Sequence, residues 1–179
     1  MKWGVGSRSS RFLYHVLPWV THLGSHFAVI LFVLISWITT KQSRVLFSLL
    51  LLYAVQNFVI YFLKFIVRRR RPLSAKEIKI RVSKGPGEII DPSFPSAHAA
   101  FSFMMATVLA FYFPRYQVIF FLIAGFIGWT RVYLGLHYPT DVIAGAILGY
   151  GMTKIYIFYL FKKDDRDFNN SKSRKAGMV

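Results

Sequence analysis

The stretch VLFSLLLLYAVQNFVIYFLKFIVRRRRP, residues 45–72, decides the fold. Residues 45–67 carry a single charge, Lys64, close to their end, and they are long enough to meet the roughly 20 apolar residues a bilayer-crossing helix needs. Four arginines and Pro72 then stop the run, because clustered guanidinium groups stay with headgroups and water and proline cannot continue a helix. Working outward, apolar stretches of similar length lie at about 25–40, 95–113, 116–134 and 140–161. The expected architecture is an all-α integral membrane protein, with about five transmembrane helices in one bundle. The first 24 residues hold Arg8, Arg11, Phe12, Leu13, Tyr14, Leu17 and Trp19, the pattern of an amphipathic helix lying in the membrane interface. They lack the clean apolar core and small-residue cleavage site of a secretory signal. Residues 68–94 form the one long loop, and residues 162–179 a polar tail expected to fray. The chain, 1–179, reads as a single domain whose membrane core is 25–161, with no internal repeat.

Composition agrees. Apolar side chains make up 55% of the 179 residues and aromatics 18%, too greasy for a soluble basic protein despite a net charge of +16. The Lys and Arg residues sit between apolar runs with few aromatics interleaved, which argues against nucleic acid and for anionic lipid as the partner. With no cysteine, disulfides and thiolate metal sites are excluded.

Three polar clusters interrupt the apolar background: Lys64 with Arg71 and Pro72; Pro95, Ser96, Ala97 and His98; and Arg131, His137 and Asp141. Five alternating spans place the N-terminus, the 68–94 loop and the 131–140 turn on one membrane face, so all three clusters meet there. A phosphoryl group in transfer carries charge on three equatorial oxygens, and Lys64, Arg71 and Arg131 are the candidate donors to them. Arg offers planar, bidentate contacts and Lys a compact point charge. Ser96, just after Pro95 at an expected first helical turn, adds a hydroxyl and the exposed N–H groups of a helix start. No metal is called for: the only carboxylates near these motifs are Asp91 and Asp141, too few for a two-metal centre. His137 is the candidate nucleophile, with Asp141 four residues on to hold its other ring nitrogen and fix its tautomer.

Blander readings apply elsewhere. Taken singly, Lys64 or Arg131 reads as a headgroup anchor, and only the joint pattern outweighs that. Arg68, Arg69 and Arg70 fit lipid anchoring or attraction of an anionic substrate equally well, and Lys76, Lys79, Arg81 and Lys84 call for the same treatment. His22 and His26 are assigned to interfacial hydrogen bonding and left out of the site. Gly145 and Gly149 read as a close helix contact, and Lys154 as a snorkelling side chain.

The three clusters together, Lys64 with Arg71-Pro72, Pro95-Ser96-Ala97-His98, and Arg131 with His137 and Asp141, resemble the type 2 phosphatidic acid phosphatase family, which shares its site with vanadium haloperoxidases. Ala97 stands where the family commonly has Gly, and Thr130 where it commonly has Ser; the first keeps its backbone N–H and the second its hydroxyl. The resemblance implies a hydrolase of lipid phosphates without cofactor or metal, acting through a phosphohistidine on His137. It also implies that His98 protonates the leaving oxygen and later helps activate water, and that Ala97 belongs with the phosphate-binding residues. Among the bacterial substrates it implies, the basic 68–94 loop favours lipid A 1-phosphate over undecaprenyl diphosphate and phosphatidylglycerol phosphate. A vanadate peroxidase and a non-catalytic lipid-binding or flippase-like protein are the rival readings. The resemblance to bacterial members implies an inner-membrane enzyme open to the periplasm, with no obligatory protein partner. The distribution of Lys and Arg over both faces, taken alone, points the other way.

Overall fold

The computed structural model describes residues 16–72 and 92–176, with 161–176 followed by backbone alone. Helices occupy all five expected positions: α1 (His26–Thr40), α2 (Ser43–Val67), α3 (Ala97–Tyr112), α4 (Gln117–Tyr133) and α5 (Pro139–Ala176). No strand occurs among the described residues. Three helical stretches are long and apolar enough to cross a membrane: Ser43–Val67, Pro114–Tyr133 and Pro139–Leu160. The helix α1 reaches that length together with Val16–Gly24, from which it is bent by 53°. At 16 residues α3 is shorter, about 24 Å.

Burial explains why α3 can be short. It lies at the centre, packed along α5 and α4, and Ala99, Ala100, Phe101, Ser102, Met104, Ala106, Thr107 and Val108 are all buried on it. A helix enclosed by other helices does not have to match the bilayer's thickness. Its small residues admit close neighbours: a Cβ on Gly145 or Gly149 of α5 would run into the backbone carbonyl of Ser96 or Ala100, so the paired glycines let the two backbones touch. On the other side, Val29 and Val33 of α1 and Leu49, Leu52 and Ile60 of α2 join Ala100, Phe101, Met104 and Val108 in the main core cluster. The outward faces are apolar and exposed, as with Phe27, Phe47, Phe58 and Leu122, which suits contact with lipid.

Two expectations change. Residues 162–176, read as a fraying tail, continue α5 as helix, since no Gly or Pro interrupts the chain from Met152 to Ala176. The described part of the interfacial segment is docked into the bundle. Leu17 and Thr21 are buried, and Gly24 abuts Ser102 and the His98 carbonyl, while Trp19 stays exposed. Residues 1–15 and 73–91, including Lys76, Lys79, Arg81, Lys84 and Asp91, lie outside the described residues.

Candidate active site

The spacing from Arg131 to Asp141 follows from how α4 ends and α5 begins. Arg131 sits in the last turn of α4. Beyond Leu134, Gly135 takes φ 71°, a left-handed conformation that side chains with a Cβ resist. The N–H of Gly135 then donates to Val132 O at 2.9 Å and that of Leu136 to Arg131 O at 3.0 Å, the paired bonds of a Schellman turn. His137 N–H also donates to Arg131 O, at 3.3 Å, so the arginine and the histidine are tied through one carbonyl. Pro139 opens α5, where its missing N–H costs nothing. Asp141, in the first turn, reaches back so that Oδ2 accepts the Tyr138 N–H at 2.9 Å, half of a capping box.

The other two clusters are laced to this turn through Ser93. Its N–H donates to Arg69 O at 2.8 Å and its hydroxyl to Arg70 O at 3.2 Å, which joins the strip after α2 to the strip before α3. Lys64, buried at the end of α2, donates to Pro92 O. Ser96 caps α3, its hydroxyl accepting from Ala99 N–H, and its own N–H donates to Asp141 O at 3.0 Å. Ala97 is therefore the first residue of α3, at the helix end where N–H groups face an anion. Arg71 donates to Leu136 O at 3.1 Å, and Arg131 donates to Thr21 Oγ1 at 3.1 Å. His98, in the first turn of α3, lies within electrostatic reach of Arg131 and His137. All eight residues singled out from the sequence thus lie at one end of the bundle.

The surroundings of His137 differ from expectation in one respect. Nδ1 lies 2.6 Å from Ser93 O and 3.7 Å from Asp141 Oδ2. A carbonyl only accepts, so Nδ1 carries the proton and Nε2 is left with a lone pair. The backbone of Ser93, rather than the carboxylate, sets the tautomer, while Asp141 stands at ion-pair distance. The reason is that Asp141 is already engaged, with Tyr138 N–H on Oδ2 and Arg69 Nη1 on Oδ1 at 2.8 Å. Burial lowers the His137 pKa from 6.5 to about 4; Arg131, Arg71 and Lys64 push the same way and Asp141 pulls against them. The ring is neutral at physiological pH.

Three participants escaped the sequence reading: Arg69, Ser93 and Thr21. Arg69 donates to Thr140 Oγ1 at 2.7 Å as well as to Asp141, and its guanidinium lies 4.1 Å from the centre of the Tyr138 ring. The arginine run separates by parity. Arg68 ends α2 with φ 46° and folds over Phe65, and Arg70 is exposed, while Arg69 and Arg71 turn inward. Two-residue alternation is the signature of extended chain, and it begins where the helix stops. No group of three or more His, Cys, Asp or Glu placed to hold a metal occurs among the described residues.

A bundle of apolar helices with cationic and imidazole groups gathered at one end defines a membrane protein built to hold an anion at the bilayer boundary. The family model described as PAP2 superfamily matches residues 45–165, and the chain belongs to that superfamily. Over 57 residues it is 47% identical to the lipid A 1-phosphatase of Rhizobium etli, covering 32% of this chain and 25% of that protein. Over 58 residues it is 52% identical to the lipid A 4'-phosphatase of Bacteroides thetaiotaomicron, covering 31% of this chain and 26% of that protein. Each match thus takes in about a quarter of the relative's length. The crystal structure of Aquifex aeolicus LpxE superposes with a TM-score of 0.66 at 27% identity, covering 83% of this chain and 87% of that one.

Proposed function

We propose that this protein hydrolyses phosphate from a membrane lipid through a phosphohistidine on His137, with lipid A 1-phosphate as the leading substrate. The observation that carries the reading is His137 itself: buried and neutral, Nδ1–H held by the Ser93 carbonyl, Nε2 carrying a lone pair, with three cations around it. Nε2 attacks phosphorus and the bond from phosphorus to the lipid oxygen breaks. His98 gives that oxygen a proton, so the lipid leaves as an alcohol. Water then attacks the phosphohistidine with His98 taking its proton, the P–N bond breaks, and inorganic phosphate departs. Lys64, Arg71, Arg131, the Ser96 hydroxyl and the Ala97 N–H balance the charge on the equatorial oxygens, the part a metal plays in other phosphatases. Asp141 holds the turn and steadies the imidazolium character that develops on His137.

The kinship with lipid A phosphatases supports the substrate. We further propose the cell inner membrane as its location, with the site toward the periplasm, as the resemblance to bacterial members of the family implies. Purified protein in detergent with chelator is expected to release phosphate from lipid A in preference to undecaprenyl diphosphate and phosphatidylglycerol phosphate. Brief exposure to radiolabelled substrate followed by alkaline quenching should leave an acid-labile label on the protein, absent in His137→Ala. A label that persists in that variant removes His137 from the role. Lipid binding without turnover favours a binding or flippase-like protein.

A further inference from the structure

The end of the bundle opposite the site carries a lipid-facing hollow that has no part in the chemistry above. It measures about 400 Å³ and is lined by Gln117, Val118, Phe121 and Leu122 of α4. The Phe121 ring meets the Tyr150 ring of α5 edge-on, with centroids 5.9 Å apart, so α5 stands beside it. Gly125, one turn further along α4, has open space where a Cβ would stand, which extends the hollow as a shallow groove. From Gln117 to Gly125 the groove runs about 12 Å along the helix.

Cations stand at its mouth. Gln117 precedes Phe121 by four residues and Lys154 follows Tyr150 by four, and positions four apart share a helix face. Because the two rings touch and α4 and α5 run in opposite directions, Gln117 and Lys154 flank the same groove one turn nearer the far edge of the membrane. Lys154 Nζ lies 5.7 Å from the centre of the Tyr150 ring. Arg115, two residues before Gln117 in the turn between α3 and α4, is exposed. Neither cation has an ion pair among the described residues. Gln117 lies fourteen residues before Arg131 and Lys154 thirteen after Asp141, so both are about 20 Å from the layer of the active site, in the opposite leaflet.

A lysine within an apolar span is costly unless its ammonium reaches the boundary and meets an anion there, and a tyrosine ring offsets only part of that cost. No carboxylate of this face can serve, since Asp141, at the other end, is the only acidic residue from Gln117 to Leu160. The same fact disfavours a second copy of the chain, which would bring like charges together across a two-fold axis. An anionic phospholipid satisfies both halves of the groove, with a phosphate for the cations and an acyl chain for the apolar hollow. A phosphatidylcholine brings its own cation to the same place and gains less.

We infer that this groove is a binding site for an anionic phospholipid of the leaflet opposite the active site, its headgroup on Arg115, Gln117 and Lys154 and one acyl chain along Val118, Leu122 and Gly125. The inference stands apart from the phosphatase reading and needs only that the helices span a membrane.

The test places the full chain in phosphatidylcholine nanodiscs with a trace of phosphatidylglycerol or phosphatidylcholine bearing the same photoactivatable acyl chain. After irradiation, adducts are mapped by peptide mass spectrometry, which keeps lipid held at the active site out of the count. The reference is the exposed surface around Val55 and Phe58 of α2, where no Lys or Arg lies within five residues. The ratio of phosphatidylglycerol to phosphatidylcholine label on α4 is expected to exceed that on α2 about fivefold to tenfold. Arg115→Gln with Lys154→Gln should bring it down to the reference value. Gly125→Leu keeps both cations and puts a side chain into open space, so it should lower the phosphatidylglycerol label even where the double variant fails to fold. Equal ratios on the two faces of the wild type mean an ordinary lipid annulus. A ratio unchanged by the double substitution or by Gly125→Leu means that the headgroup or the chain lies elsewhere, and protection of α4 from both lipids with a doubled particle mass means that a second copy covers it. Each of these results overturns the inference.

Discussion

His137 and His26 lie at the same end of the bundle and are held in opposite ways. His137 is buried and donates Nδ1–H to a backbone carbonyl, which never donates in return, so its tautomer is decided by the fold. His26 is partly exposed and has a tyrosine hydroxyl on each nitrogen, and a hydroxyl gives or takes a proton with equal ease. One ring is locked with its lone pair on Nε2, within electrostatic reach of Arg131, Arg71 and Lys64. The other is held between two hydroxyls of α2. Locking suits the nucleophile role proposed for His137, and a hydroxyl on each nitrogen suits a tie between α1 and α2.

Replacing His137 tests this contrast most severely. His137→Ala should lower phosphate release by at least about a thousandfold and abolish the covalent label, because the proposed mechanism forms its P–N bond on this ring alone. His26→Phe, measured side by side on para-nitrophenyl phosphate, should leave the rate within a few-fold of wild type; a loss as deep as that of His137→Ala would erase the distinction.

Arg69 sharpens the locked side. Arg69→Ala leaves Asp141, which is fully buried, without its guanidinium partner and loosens the turn that carries His137. A fall in kcat of about tenfold to a hundredfold is expected, as for small misplacements of a reacting group, with KM changed much less. Arg69→Lys restores charge and a single donor nitrogen but not the stack of the planar guanidinium on Tyr138, so it should recover only part of the loss. Full recovery by lysine would reduce the role to charge alone.

A pH profile probes the same ring without removing it. The imidazole must be neutral to attack, and its pKa is lowered from 6.5 to about 4. The acid limb of kcat/KM should therefore lie near pH 4: activity from this group is complete well above that value and is lost as pH falls through it. Arg71→Gln removes one of the cations that lower the pKa, so the limb should move upward, toward 6.5. A wild-type limb near 6.5 would mean that His137 is not shielded as described.

The smallest effect is expected at Thr21, which braces Arg131 from the N-terminal segment. Thr21→Val should raise KM about threefold to tenfold and leave kcat nearly unchanged, as measured by initial rates on lipid A in detergent.

Much of this was legible beforehand, for reasons that can be named. Helix positions came from runs of apolar residues, and those depend on local composition and bilayer thickness alone. The convergence of Lys64, Ser96, Arg131 and His137 followed from alternating spans, which send every second loop to the same face. Arg69 could not be told from Arg68 and Arg70 in the same way. Which arginine turns inward depends on where α2 stops, and that is set by Arg68 taking the left-handed conformation at its end. Ser93 acts through its backbone carbonyl, an atom every residue has, so no choice of side chain advertised it. Thr21 was hidden in a segment read as interfacial, whose docking depends on Gly24 fitting against α3.

The sequence by itself determined an all-helical membrane bundle, the family, and the residue types gathered at one end, because hydrophobic length and the chemistry of phosphate binding are written in side-chain identity. Only the tertiary structure decided who holds whom: Ser93 rather than Asp141 on Nδ1 of His137, Arg69 on Asp141, Thr21 on Arg131, and His26 between two tyrosines. Those pairings cross between 27 and 110 positions of chain, and they exist because packing of α3 against α4 and α5, and of α1 against α2, brings distant groups within hydrogen-bond reach.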